Sequence, residues 1–149
     1  MPKTTSDAHI LVNMTYVSRA TSDVDAKELG EILQEAQDNN AANGITGMLI
    51  FHNNYFLQTI EGPRAQINRL LYALMADKRH HDVQLLEARE LKYREWPKWL
   101  MSYTSPSEAA AAIHIKYSTT VEFNPYLLSA ESARGLMIEL SSQSGEATV

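Results

Sequence analysis

Between residues 9 and 105 the spacing of apolar side chains switches between a period of two and a period of about 3.6, and the order of those switches most limits the fold. "HILVNMTYVS" (9–18) alternates, so Ile10, Val12, Met14 and Tyr16 share one face of a strand. "TSDVDAKELGEILQEAQDNN" opens on capping residues and then sets Leu29, Ile32, Leu33 and Ala36 at helical spacing, with a stop expected near Gly44. "ITGMLIFH" and "YFLQTIEG" alternate again and meet at Asn53-Asn54, which suits a tight hairpin turn. Pro63 suits the first turn of a second helix, whose apolar face is Ile67, Leu70, Leu71, Leu74 and Met75 and which fades into "DKRHHD". "VQLLEARELKYR" (83–94) and, after "EWPKW", the short "WLMSYTS" (99–105) are the last two strands.

This β-α-β-β-α-β-β order predicts an α+β, ferredoxin-like sheet with two helices on one face. That arrangement leaves the other face of the sheet open. The tail, 106–149, holds two shorter helical segments, "SEAAAAIHIKY" and "SAESARGLMIELSSQ", joined by "STTVEFNPYLL". Ser129 is the candidate N-cap of the second, and the final "SQSGEATV" is expected to fray. The tail is too short for a domain of its own. It reads as a C-terminal extension of the 9–105 unit, packing on the sheet or on a partner.

Several function classes are excluded early. The chain of 149 residues has no cysteine, which removes disulfides, thiolate zinc sites, cysteine nucleophiles and photochemistry that traps a flavin on a thiol. The five His residues have no metal-ligand spacing. A net charge of −5 without a basic stripe argues against broad nucleic-acid binding. There is no apolar run long enough to span a membrane and no apolar signal core near the N-terminus, so a cytoplasmic protein is expected. A dinucleotide site of the Rossmann kind has no Gly-rich loop to support it.

Three polar residues interrupt apolar rows. Gln58 lies between Phe56 and Ile60, Tyr16 closes the row from Ile10, and Asn40 continues the buried stripe of the first helix. Each alone has an ordinary structural reading: an amide bonded to nearby backbone, a core tyrosine with one satisfied hydroxyl, a helix C-cap. Together, an Asn, a Gln and a Tyr converging on one apolar cleft would grip a flat heteroaromatic with alternating donors and acceptors, such as the pyrimidine edge of a flavin.

The stretches "YVSRA" (16–20), "NNAANGITGMLIF" (39–51), "FLQTIEGP" (56–63), "DKRHHDV" (77–83) and "WPKWLMSY" (96–103) resemble the BLUF family of blue-light sensors using flavin. The tail resembles that of short, single-domain PixD-type members through "IKYSTT" and "LLSAESARGLMIEL". The resemblance implies a photoreceptor, not an enzyme, with FAD as cofactor and FMN and riboflavin as alternatives. It implies that Tyr16 is the photochemical electron and proton donor, and that Gln58 lies between Tyr16 and the flavin and is rearranged by light. By the same resemblance Asn40 holds the ring edge, Asp77, Arg79 and His80 lie by the far side of the ring or the ribityl chain, and Trp99 and Met101 relay the change through the fifth strand. Ala36 departs from the family, which often has a Ser four residues before the Asn. With no output domain in this sequence, the signal is expected to leave through a partner protein or a homo-oligomer. A flavin oxidoreductase and a cofactor-free interaction module are the competing classes.

Overall fold

The computed structural model describes residues 9–96, 103–104 and 108–144. Its sheet is built from β1 (Leu11–Ala20), β2 (Thr46–His52), β3 (Tyr55–Pro63), β4 (His80–Leu91) and β5 (Tyr103–Thr104), in the order β4-β1-β3-β2-β5. All pairings are antiparallel except β2 with β5, where Leu49 faces Tyr103 and Ile50 faces Thr104. Helices α1 (Ala26–Asn43) and α2 (Arg64–Ala76) supply the two crossovers of the split β-α-β unit, and the expected ferredoxin-like α+β fold is observed.

Local chemistry sets these boundaries. Asp25 caps α1, its carboxylate accepting from the Glu28 N–H at 2.8 Å. Gly44, at φ 67°, ends the helix, and its N–H and that of Ile45 both bond the Asn40 carbonyl. Asn53 and Asn54 hold φ of 54° and 61°, the left-handed pair that a two-residue hairpin between β2 and β3 requires. One boundary differs from the pattern reading, in which the second helix fades through "DKRHHD" and a strand begins at Val83. Asp77 instead stops α2 by accepting from the Arg79 N–H at 2.9 Å, and β4 starts at His80 and ends at Leu91.

The sheet has a core on each face. On one, Met14, Tyr16, Leu49, Phe56 and Ile60 pack against Leu33 of α1 and Ile67 of α2. On the other, Val17, Met48, Ile50 and Leu57 pack under the C-terminal segment. That segment consists of α3 (Glu108–Tyr117), a 3-10 turn (Pro125–Leu127) and α4 (Ala130–Ser144), which bring Ile113, Phe123, Leu128, Leu136, Met137 and Leu140 onto the sheet. Ser129 stands at the start of α4, with its hydroxyl accepting from the Ser132 N–H at 3.0 Å. Strand β3 is therefore covered on both sides, and every residue from Phe56 to Gly62 is buried.

Candidate functional site

Register brings the first two site residues together. Tyr16 of β1 lies directly opposite Gln58 of β3, both side chains on the face covered by α1 and α2, and the Tyr16 hydroxyl donates to Gln58 Oε1. Asn40 approaches from α1 and is as buried as Tyr16, with 2% of its surface exposed. Its main-chain carbonyl closes the helix while its side chain lines a cleft between the two helices and the sheet. That cleft is partly open to solvent.

The cleft is graded in polarity. Ile32, Leu49, Phe56, Leu70 and Leu74 give it apolar walls, and Ala36 contributes a methyl group where a hydroxyl would have added a donor. Asn40, Gln58 and Tyr16 supply donors and acceptors, and Glu35, Asp77 and Arg79 are the charged lining residues, with side chains more exposed than these. Arg79 bonds Asp77 at 2.6 Å and Glu35 at 3.1 Å, so its charge is answered by two carboxylates. The Arg79 guanidinium holds the Asp77 carboxyl below its ordinary range, and the same bonds raise Arg79. Burial, and secondarily the Asp77 charge, pushes the Tyr16 phenol well above its ordinary value. Tyr16 is thus a neutral phenol throughout the physiological range.

His80 is fixed at both ring nitrogens, by the Ser18 hydroxyl at 2.8 Å and the Leu74 carbonyl at 2.6 Å. A carbonyl only accepts, so Nε2 carries a proton and bonds Leu74. The ring stands in a T-shaped arrangement with those of Tyr16 and Phe56, with centroids 6.3 Å away in each case. The structure therefore gathers Tyr16, Asn40, Gln58, Asp77, Arg79 and His80 around one cleft. Trp99 and Met101 lie outside the described residues. Trp96 belongs to the opposite core, its main-chain N–H bonded to Glu61 Oε1 at 2.8 Å. Sequence reasoning missed Ser18 and Glu35. Ser18 was within reach, because it continues the alternating row of Tyr16; Glu35 had no signal beyond its place one helical turn before Asn39 and Asn40.

A cleft with apolar walls, two buried amides and a buried phenol fits a flat heteroaromatic ring with alternating donors and acceptors. Among the described residues no cluster of His, Cys, Asp and Glu is able to hold a metal ion. Fold and cleft define a ring-binding module on a split β-α-β sheet. The chain belongs to the BLUF family: the model of that family, described as sensors of blue light using FAD, matches residues 11–102. A photoactivated adenylate cyclase subunit beta of Euglena gracilis is 35% identical over 103 residues, covering 68% of this chain and 12% of that much longer protein. The chain is similar over 87% of its length to the photo-activated state of BlsA, with 94% of that chain covered, 27% identity and a TM-score of 0.79. It is similar also to the dark state of BlrB, described as a BLUF protein, at 25% identity and a TM-score of 0.75, covering 91% of this chain and 97% of that one. It is thus a flavin-binding light sensor by family.

Proposed function

We propose that this chain is a blue-light switch, not an enzyme, with FAD held in the cleft by Asn40 and Gln58 and with Tyr16 as its redox partner. One observation carries the reading: a buried, neutral phenol donates to the amide carbonyl of Gln58 at a cleft lined by apolar side chains and by Asn40. Bound there, the flavin supplies absorption of blue light and a one-electron acceptor. With the flavin bound, Tyr16 would serve as the electron donor beside it, and its hydroxyl proton would move along the hydrogen bond to Gln58 Oε1. Return of both would restore Tyr16 and leave the Gln58 amide in a new arrangement. An amide suits this step because one end accepts and the other donates, so reorganisation inverts the pattern offered to the ring with almost no change in volume.

Asp77, Arg79 and His80 line the cleft beside these groups and fix its polar end. Arg79 is already matched by two carboxylates, so phosphate recognition adds little and FMN and riboflavin fit the same cleft. The altered contacts of Gln58 then bias the fifth strand, through Trp99 and Met101, and the C-terminal helices that signal to a partner protein or within a homo-oligomer. We place the protein in the cytoplasm; no helix among the described residues is long and apolar enough to cross a membrane.

A visible spectrum of the purified, flavin-loaded protein before and after blue light tests the reading. The expected result is a reversible red shift of the flavin band. Tyr16→Phe should keep the flavin and lose the shift. A variant that still shifts reduces Tyr16 to a core residue, and substrate turnover in the dark would favour an oxidoreductase. Light-scattering mass in both states tests assembly; a strict monomer in dark and light removes the oligomer.

A further inference from the structure

Two residues beyond His80, outside the cleft, β4 carries contacts that the mechanism above does not use. Val17 faces Gln84 while Arg19 faces His81, so β4 has one residue more than β1 over this interval. Asp82 lies in that bulge with φ of 55°, a left-handed conformation that a non-glycine residue keeps only when its surroundings hold it. Two contacts to Asp82 do so, and ring contacts brace Arg19 and Tyr126, which make them. The Tyr126 hydroxyl donates to the Asp82 main-chain carbonyl at 2.6 Å. Arg19 Nε donates to the Asp82 carboxylate at 3.3 Å. The Arg19 guanidinium lies 4.6 Å from the Tyr126 ring centre and 5.1 Å from that of Tyr55, and the two rings meet edge to face.

Tyr126 belongs to the 3-10 turn that joins α3 to α4, so this cluster ties the C-terminal segment to the edge of the sheet. Burial pushes its phenol up to about 12, which keeps the hydroxyl a donor at every physiological pH. Arg19 and Asp82 are both nearly half exposed, and an exposed ion pair alone holds little. The weight of the cluster is in the stacked guanidinium and the Tyr126 bond.

We propose that the Arg19–Asp82–Tyr126 clamp is a second output of the sensor, coupling the cleft to the joint between α3 and α4 without passing through the fifth strand. It rests on the photochemical reading of Tyr16 and Gln58. Two short segments make the connection. In β1, Tyr16 faces the cleft, Ser18 bonds His80, and Arg19 holds the clamp. In β4, the His80 ring packs at a steep angle to those of Tyr16 and Phe56, and Asp82 is the clamped residue. A shift of the His80 ring as Gln58 rearranges is transmitted across two peptide units to a bulge held in an uncommon conformation.

Amide hydrogen exchange on the full chain with flavin bound, in darkness and under continuous blue light, tests this, with the absorption spectrum read on the same samples. In the unsubstituted protein, light should change exchange both at 80–84 and at 119–128. Tyr126→Phe keeps the ring and loses the hydrogen bond; Arg19→Lys keeps the charge and loses the planar stack. Each should raise dark exchange at 119–128 several-fold, up to roughly tenfold. In each, the light-induced change at 119–128 should vanish while the red shift and the change at 80–84 persist. A light response at 119–128 that survives in both variants, or that is absent from the unsubstituted protein while the red shift forms, overturns the clamp. Absence of any red shift in the unsubstituted protein refutes the photochemistry itself, and the spectrum separates that failure from the other two.

Discussion

Replacing Gln58 by Leu separates the switch from the fold. Gln58 is 6% exposed and sits between Phe56 and Ile60 in an otherwise apolar row. Leu in its place makes that row continuous and removes the acceptor of the Tyr16 hydroxyl. A buried hydroxyl stripped of its acceptor costs about 1–3 kcal/mol, whereas replacing both partners by apolar groups of similar shape is nearly neutral. The gain from a buried Leu is of similar size, about 1.5–3 kcal/mol for full burial, so the single variant should fold. Each 1 kcal/mol moves the midpoint of a domain this size by roughly 2–4 °C, so Gln58→Leu should melt within several degrees of the parent. Tyr16→Phe removes, from the other side, the hydroxyl that donates to Gln58 Oε1. The double variant should be more stable than the sum of the two singles by about 1 kcal/mol or more. Flavin should still bind through Asn40 and the apolar walls, and light should produce no red shift. Thermal melts of the four proteins and one light-minus-dark spectrum of each are sufficient. A persisting red shift in Gln58→Leu, or strictly additive stabilities, would refute the argument.

The Tyr16 phenol gives a pH test. Its pKa is raised in the folded state above the ordinary 10.0, so folding is uncoupled from its titration below that value and loses stability as pH rises beyond it. Tyr16→Phe should remove part of the alkaline loss seen in pH-dependent melts, and the parent's red shift should hold from neutrality up to that point; a phenol titrating near neutrality contradicts this. Gly47→Ala tests the tight approach of β2 to β3, because a Cβ there would lie 2.1 Å from the Thr59 carbonyl oxygen. Backbone has to move, and a destabilisation of about 3 kcal/mol is expected from chemical denaturation, with an unchanged midpoint counting against the register.

Much of this was legible because each crossover announced itself. The Gly44 stop, the Asn53-Asn54 turn and the period-two rows place β1, β2, β3 and the end of α1 within a residue or two, whereas the start of α1 was legible only as a cap-rich stretch from Thr21. Tyr16, Asn40 and Gln58 stood out as polar letters in apolar rows, and register then made two of them partners. What pattern reading lacked was which strand residues the tail would bury on the other side of the sheet. Asn13, Thr15 and Thr59 are all buried there, bonded to one another, with Asn13 Nδ2 donating to Thr59 Oγ1 at 2.7 Å. In sequence they look like the solvated half of an amphipathic strand, because nothing local tells that α4 will cover them. The early start of β4 was equally hidden, since "RHH" carries no strand period and is fixed by the Asp77 turn and by Thr21, whose N–H bonds the Arg79 carbonyl at 3.0 Å.

The two cores make a last prediction, on whether sensing and tail packing are separable. Leu136 of α4 is fully buried on the face away from the cleft, among Val17, Met48, Ile50 and Leu57 of the sheet. Leu136→Ala should cost about 2–5 kcal/mol, the range for a large-to-small change in a core that closes only partly around the space left. That loss falls on the tail's core and leaves Tyr16, Asn40 and Gln58 untouched, so the amplitude of the red shift should survive wherever the protein stays folded. Loosening α4 bares apolar sheet surface, and self-association should rise with it. Dark recovery should also change, because β3 carries Leu57 on the tail face and Gln58 on the cleft face, one residue apart in the same buried strand. Difference spectra, recovery kinetics and light scattering on this variant read the three effects. If the red shift disappears while the flavin remains bound, the two faces are one cooperative unit. If recovery and association match the parent while stability falls, the tail is a cover and takes no part in the signal.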